Sequence, residues 1–416
     1  MADVSLVLFG VAFIIFFGFL AEFIFKKVGV PDVLLLVILG FVLGPNVWSV
    51  IDPAKFTEVA PLFTTFALMF LMFEGSMNIN LGSFARGLFS GSSISLYNFI
   101  ISSAALTAVL SLIFAFDFMV ALLLGFVLSG VSSAFVIPIL KQLKPRGEIY
   151  TMLTLESALT DVYTIVFALT VLQIIKINEV SFQAVMNQIA SLFAIACLIG
   201  FAAAIIWIFL DMKIFKGSKG YMSTVAFLIL VYLLTEYLKG NGAIAAMFFG
   251  IFLKNSKQLT SIISWIKSDD EKEKELAIQG RLGVNVITEN EEMFFGQISF
   301  FLKTFFFVYI GFLLNLADLQ AVLIGVVLAV VIMFVRKASI LMTRKLNKDE
   351  QSMINSIFAR GLAAAAVVQI IIQSEIIQEV IILDITYITI VATIILSSGS
   401  ILWHKIKFKA PAAAAE

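Results

Sequence analysis

Two carboxylates, Glu156 and Asp161, lie inside a long apolar segment, and Ser157 and Thr160 stand between them. Ser157 and Asp161 are four residues apart, so their oxygens would share one face of a helix. Hard cations bind oxygen ligands, and a desolvated carboxylate can take up a proton instead. One carboxylate that accepts either a cation or a proton is the minimum chemistry for exchanging the two. A structural ion pair is the alternative use of such a residue.

Two other apolar segments are interrupted by small and polar residues near their middle. One contains Leu128-Ser129-Gly130-Val131-Ser132-Ser133-Ala134, and the other contains Ala359-Arg360-Gly361-Leu362-Ala363. Interruptions at corresponding places in two halves of a membrane protein are typical of broken helices around an ion site. Their free backbone groups would need partners, which a cation and nearby charges can supply. Close helix packing through small residues is the alternative.

The segments that carry these residues belong to a strongly apolar chain. Of its 416 residues, 61% are hydrophobic and 13% are charged. Many apolar runs reach about 20 residues, enough to cross a hydrocarbon core of ~30 Å as a helix. We therefore predict an all-α polytopic membrane protein with about 13 transmembrane helices. The predicted spans are 4–25, 31–51, 56–78, 92–116, 118–140, 149–175, 182–210, 221–238, 241–254, 293–316, 319–343, 350–373 and 381–403.

Faint echoes seven spans apart indicate an internal repeat. Gly40-Phe41-Val42-Leu43-Gly44 resembles Gly250-Ile251-Phe252-Leu253, and Phe73-Glu74-Gly75 resembles Tyr309-Ile310-Gly311. Because seven is odd, the two copies would cross the membrane in opposite directions. The predicted fold therefore has inverted repeats with two discontinuous crossing helices.

The basic residues predict an orientation. Of the 28 lysines and arginines, 21 fall in loops after odd-numbered spans and three in loops after even-numbered spans. By the positive-inside rule, the N-terminus lies outside and the C-terminus in the cytoplasm of a multi-pass cell-membrane protein. The polar loop 255–292, with the acidic run 268–275, would be cytoplasmic, and the tail 406–416 would be disordered.

Six charged side chains inside spans are candidates for pairing or function. At ~1.5 Å per residue from the cytoplasmic ends, Glu156 is roughly 10 Å deep and Arg336 roughly 12 Å, so an ion pair is feasible. Arg360, roughly 15 Å deep, is the rival partner, whereas Asp161 at roughly 18 Å is near the bilayer centre. Lys303 would pair with Glu74 or titrate by itself.

Composition argues against several other classes of function. The formal net charge is zero, so no nucleic-acid partner is expected. One cysteine, Cys197, and one histidine, His404, argue against a disulfide, a histidine-ligated metal or a bound cofactor. The sequence has no paired histidines, reactive cysteine or phosphate-binding loop that would indicate an enzyme. It also has no filter sequence that would indicate a channel.

At these residues the chain resembles the monovalent cation/proton antiporter superfamily, which includes the sodium/proton exchangers. The strongest element is Glu156-Ser157-Ala158-Leu159-Thr160-Asp161, similar to a Glu-Ser, two residues, Asn-Asp signature. Leu71-Met72-Phe73-Glu74-Gly75 looks like a Leu-Leu-Phe-Glu-Gly stretch of that family. Arg360-Gly361 stands where the family has an Arg-Gly motif, and Arg336 fits a basic residue late in span eleven.

The resemblance implies a homodimeric antiporter that exchanges Na⁺ or Li⁺ for H⁺ by alternating access. Asp161 would carry the cation or proton, with Ser157, Thr160, Ser132 and Val131 in its shell, and the Glu156–Arg336 pair would hold the moving core together. Arg360, Lys303 and Glu74 would modulate transport. Residues 1–91 and 177–316 would form the scaffold and dimer spans, and residues 92–176 and 317–405 the six-helix core.

Two departures from the family pattern bear on the ion. Thr160 stands where exchangers commonly have Asn, and Val131-Ser132-Ser133 stands where they often have Thr-Asp-Pro. One central carboxylate would therefore exchange one cation for one proton without net charge movement, unless Lys303 also releases a proton in each cycle. K⁺/H⁺ exchange is the alternative, and a cation channel is a weaker one.

Overall fold

The computed structural model describes most of the chain. The described residues are 2–28, 31–45, 47–48, 60–77, 81–177, 182–215, 220–267, 285–341, 343–344, 346–374 and 381–409. The acidic run 268–275 and residues 410–416 of the predicted tail lie outside them, so the expectations for these segments stay predictions. Residues 406–409, which were also expected to be disordered, instead belong to the helix Ile381–Lys409.

In the described part of the chain, every regular element is helical, as the sequence predicts. The helices of the first half are α1 Ala2–Val28, α2 Asp32–Leu43, α3 Ala60–Ser76, α4 Leu81–Leu112, α5 Phe118–Val127, α6 Ser133–Leu143, α7 Gly147–Ile177 and α8 Phe182–Leu210. Those of the second half are α9 Tyr221–Tyr237, α10 Gly242–Lys254, α11 Ser256–Lys267, α12 Glu289–Leu313, α13 Leu319–Arg336, α14 Lys348–Ser356, α15 Leu362–Gln373 and α16 Ile381–Lys409.

Seven of the described helices are long and apolar enough to cross a membrane, judged by length and composition. Six shorter apolar helices, of 10–17 residues, accompany them. Two of these, α5 and α15, are each half of a predicted span that is interrupted. The chain is therefore an all-helical, multi-pass membrane protein, whereas the count of 13 crossings stays a prediction.

The chain divides into two compact units. The first comprises residues 1–65, 87–179 and 301–416, and the second comprises residues 66–86 and 180–300. All the segments expected to form the moving core lie in the first unit, together with α1 and α2. The division into core and scaffold remains a prediction.

In the first unit, α2 and α12 pack backbone against backbone through glycine. A Cβ at Gly40 would collide with the carbonyl of Val308, and a Cβ at Gly311 with the carbonyl of Val37. Small residues let membrane helices approach this closely. In the second unit, Phe73 stacks on Phe249 with ring centroids 5.6 Å apart and meets Phe295 edge-on at 5.4 Å.

Candidate ion site at two interrupted helices

Two spans are interrupted where their sequences are small, polar or rich in glycine. The helix α5 ends at Val127 and α6 begins at Ser133, and α14 ends at Ser356 and α15 begins at Leu362. The two breaks meet, because the backbone N–H of Ser132 donates to the carbonyl of Ala359 at 3.0 Å.

Side chains of α7 and α16 satisfy the backbone of these breaks. The N–H of Val131 donates to Thr160 Oγ1 at 3.0 Å, and the N–H of Arg360 donates to Thr393 Oγ1 at 3.0 Å. Unpaired backbone groups in an apolar interior cost several kcal/mol each. The hydroxyls therefore explain why non-helical backbone can persist here.

Asp161, on α7, contacts the N-terminal end of α6. The hydroxyl of Ser133, the first residue of that helix, donates to Asp161 Oδ2, and the backbone N–H of Ser133 donates to the same carboxylate. A carboxylate at a helix N-terminus is stabilised by the positive end of the helix dipole. Asp161 is 8% exposed, and among the described residues no basic side chain forms an ion pair with it.

The three hydroxyl side chains predicted to surround Asp161 make different contacts. Ser157 is fully buried, and its hydroxyl donates to the carbonyl of Thr154 at 3.0 Å, which leaves its lone pairs free for a cation. Thr160 Oγ1 donates to the carbonyl of Ser157 at 3.2 Å and accepts from Val131, so it connects α7 to the break. Ser132 lies against Gly361, where an added Cβ would collide with its side chain.

Glu156 and Arg336 form a buried salt bridge. Nη1 and Nη2 of Arg336 donate to the two oxygens of Glu156, the second at 2.9 Å, and the exposed fractions are 1% and 4%. Asn98 Nδ2 adds a bond to Glu156 at 2.8 Å, and Arg336 Nε donates to the carbonyl of Ile354 at 3.0 Å. Both charges are therefore paired and hydrogen-bonded, which a buried pair requires.

The remaining candidates lie elsewhere. Arg360 is 2% exposed and within electrostatic range of both Glu156 and Arg336. Lys303 Nζ donates to Asp32 Oδ2 at 2.7 Å, so its partner is Asp32, whereas the sequence had offered Glu74. Glu74 is partly buried on α3, in the second unit.

Three residues that contact the candidate site residues were not predicted from the sequence. Asn98, Asp32 and Ser133 each complete a contact whose other member was identified. Spacing from Asp161 gives no signal for them, because they lie 28 or more residues away along the chain. Only Ser133, inside the polar interruption, carried a sequence cue.

A family model described as the transmembrane sodium/hydrogen exchanger matches residues 11–404. The chain belongs to the sodium/hydrogen exchanger family. The predicted family, that of the cation/proton antiporters, is therefore confirmed. Its members are transporters that exchange monovalent cations for protons.

Individual relatives of the family are distant. The sodium proton antiporter MjNhaP1 from Methanocaldococcus jannaschii, solved at pH 8, matches with a TM-score of 0.74 and 19% identity over 98% of each chain. An electron-microscopy structure of the same antiporter gives 0.72 and 18% identity, over 97% of this chain and 98% of that one. These similarities establish the fold.

A curated relative differs in its stated cation. It is a K⁺/H⁺ antiporter, NhaP, from Alkalimonas amylolytica, and is 22% identical over 258 residues, 61% of this chain. The match covers 44% of that relative's length, less than half of it. The exchange of K⁺ is therefore stated of that relative alone.

Proposed function

We propose that this protein is a secondary active antiporter that exchanges Na⁺, or Li⁺, for H⁺ by alternating access, with Asp161 as the carrier. The observation that carries this proposal is the contrast between two carboxylates on α7. Glu156 is neutralised by Arg336, whereas no described basic side chain pairs with Asp161. A buried carboxylate without a cationic partner favours a bound cation or proton.

The ligand shell would be built from oxygens of α7 and of the break between α5 and α6. Asp161 and Ser157 share one face of α7, and Thr160 connects that helix to the backbone of Val131. Ser132 completes the group from the break. A metal ion such as Na⁺ at Asp161 is cargo, and no resident cofactor is needed for this exchange.

The pairs around the site have mechanical roles in this proposal. Glu156 and Arg336 join α7 to the end of α13, so these helices would move together as part of a core formed by residues 92–176 and 317–405. Residues 1–91 and 177–316 would form the scaffold of a homodimer. Arg360, Lys303 and Glu74 would tune transport from outside the ligand shell.

The N-terminus would lie outside the cell membrane and the C-terminus in the cytoplasm, because the basic residues cluster in alternate loops. One carrier carboxylate implies one cation per proton and no net charge movement. Potassium is the second candidate cation, favoured by the stated activity of the relative from A. amylolytica.

The test is proton flux into proteoliposomes that hold a pH-sensitive dye and a pre-acidified lumen. External Na⁺, Li⁺ or K⁺ is added with the membrane voltage clamped. We expect Na⁺ or Li⁺ to alkalinise the lumen at a rate that saturates with cation concentration and does not depend on voltage. A response to K⁺ alone would support the second candidate, and no response to any cation would refute exchange.

A further inference from the structure

Arg360 is a buried cation, and two of its three side-chain nitrogens have no hydrogen-bond partner in the described part of the chain. Its Nε and Nη1 are buried and have no hydrogen-bond partner among the described residues, although the side chain is only 2% exposed. A guanidinium has five N–H donors, no acceptor, and stays protonated in proteins. Leaving such a group unpaired in an apolar interior is costly.

The nearby carboxylate is already engaged by other donors. Both oxygens of Glu156 accept from Arg336, and Asn98 adds a third bond. These three ionisable groups, one acid and two bases, carry a net charge of about +1. An ionised Asp161, on the same helix as Glu156, would offset this positive charge. During the proposed cycle, however, the bound cation or proton neutralises Asp161, and the positive charge is then no longer offset.

The backbone beside Arg360 adds further donors. Gly361 is the N-cap of α15 and offers no capping side chain, and the first turn of α15 contains no acidic residue. The first N–H groups of a helix have no intrahelical acceptor, and together with the helix dipole they attract anions.

A second, independent group points at this helix end. The side chain of Ser132 lies directly against Gly361, so that an added Cβ there would strike its hydroxyl. Ser132 is 3% exposed, and its Oγ is buried without a hydrogen-bond partner in the described part of the chain. Ser132 is itself the N-cap of α6 and caps it with no side-chain bond.

We propose that Arg360, Ser132 and the first turn of α15 form a binding site for a small monovalent anion, chloride being the probe of choice. The unused groups are almost all donors, and a halide accepts hydrogen bonds without needing to donate any. A water molecule must donate as well as accept, and its neutral charge leaves the excess positive charge in place. The anion would neutralise the core while Asp161 is occupied, and Ser132 can serve both ions because its hydroxyl donates one hydrogen and keeps two lone pairs.

The experiment measures thermal unfolding of the purified full-length protein in detergent. Chloride is titrated against gluconate at fixed Na⁺ concentration, pH and ionic strength. We expect the Tm to rise with chloride and to saturate, by about 2–4 °C once chloride far exceeds its Kd. A Tm that does not depend on the anion would overturn the proposal and leave water as the partner of these donors.

Variants locate the site. Arg360→Gln should lose the chloride-dependent rise, whereas Arg344→Gln, a matched change at an exposed arginine, should keep it. Ser132→Asp covers the case in which Arg360→Gln does not fold, because it places a tethered carboxylate against the same helix end. We expect that variant to fold and to melt at the same temperature in chloride and gluconate. A full chloride response in either Arg360→Gln or Ser132→Asp would show that any bound anion lies elsewhere.

The readout separates this site from the proposed exchange. Stability in chloride does not require transport, so a protein without exchange activity can still show the anion response. Conversely, loss of the response would leave the role of Asp161 intact.

Discussion

Replacing Glu156 by Gln keeps the shape of the side chain and removes the charge that holds Arg336. In the folded protein this leaves Arg336, 4% exposed, and Arg360, 2% exposed, without a counter-charge. Removing one partner of a buried ion pair typically costs 3–5 kcal/mol. The amide oxygen still accepts one bond, so we expect a loss near the low end, about 3 kcal/mol.

Asp161→Asn is the matched change on the same helix. Asp161 has no described ionic partner, so the substitution weakens its bonds from Ser133 but also removes a desolvated charge. These effects oppose each other, and we expect a net change within about 1 kcal/mol. The two acid-to-amide changes should therefore differ by about 2 kcal/mol or more.

The assay is equilibrium or thermal unfolding of the purified variants in one detergent, at fixed sodium and chloride. A double-mutant cycle with Arg336→Gln isolates the pair, because the double variant buries neither charge of the salt bridge. We expect the double variant to be more stable than the sum of the single losses implies, by at least 1 kcal/mol. Equal losses for Glu156→Gln and Asp161→Asn, or additive losses in the cycle, would refute this reasoning.

Three further predictions rest on single contacts. Gly361→Ala should lower the free energy of unfolding by about 1–3 kcal/mol because its Cβ meets Ser132, whereas Gly399→Ala, with open space around it, should be neutral or stabilising; equal thermal shifts would contradict the packing argument. Thr160→Val should cost about 1–3 kcal/mol by leaving the N–H of Val131 unpaired. Thr170→Val, whose hydroxyl bonds only its own helix, is the control, and similar melting of the two would argue against the contact. Lys303→Met should destabilise the protein more than Lys303→Met combined with Asp32→Leu, yet leave cation-driven proton flux in place; lost flux without lost stability would assign Lys303 a titrating role instead.

Much of the fold could be predicted because lipid imposes one strong rule on the sequence. Apolar runs in this chain must be helices, and the positions of the two breaks followed from small residues such as Gly130 and Gly361. Helix ends were less predictable. The helix α4 begins at Leu81, not near residue 92, because polar residues at its start can extend a helix beyond the apolar run.

The pairing of the charges was only partly predictable. The pairing of Glu156 with Arg336 was predicted because both residues lie at a similar depth, counted in residues from the cytoplasmic ends of their spans. Depth did not reveal Asp32, which begins α2 only a few residues after the predicted loop yet is 4% exposed and bonded to Lys303. Contacts between distant segments depend on how each helix is rotated about its own axis. A continuously apolar segment does not specify that rotation.

The central claim is that Asp161 carries the cation and the proton in turn. The most direct measurement compares Na⁺-driven proton flux of the native protein and Asp161→Asn in matched proteoliposomes at clamped voltage, with equal amounts of folded protein. We expect the native protein to alkalinise the lumen and Asp161→Asn to show no flux above that of empty vesicles. Robust Na⁺-driven flux by Asp161→Asn would contradict the assignment and require another carrier group.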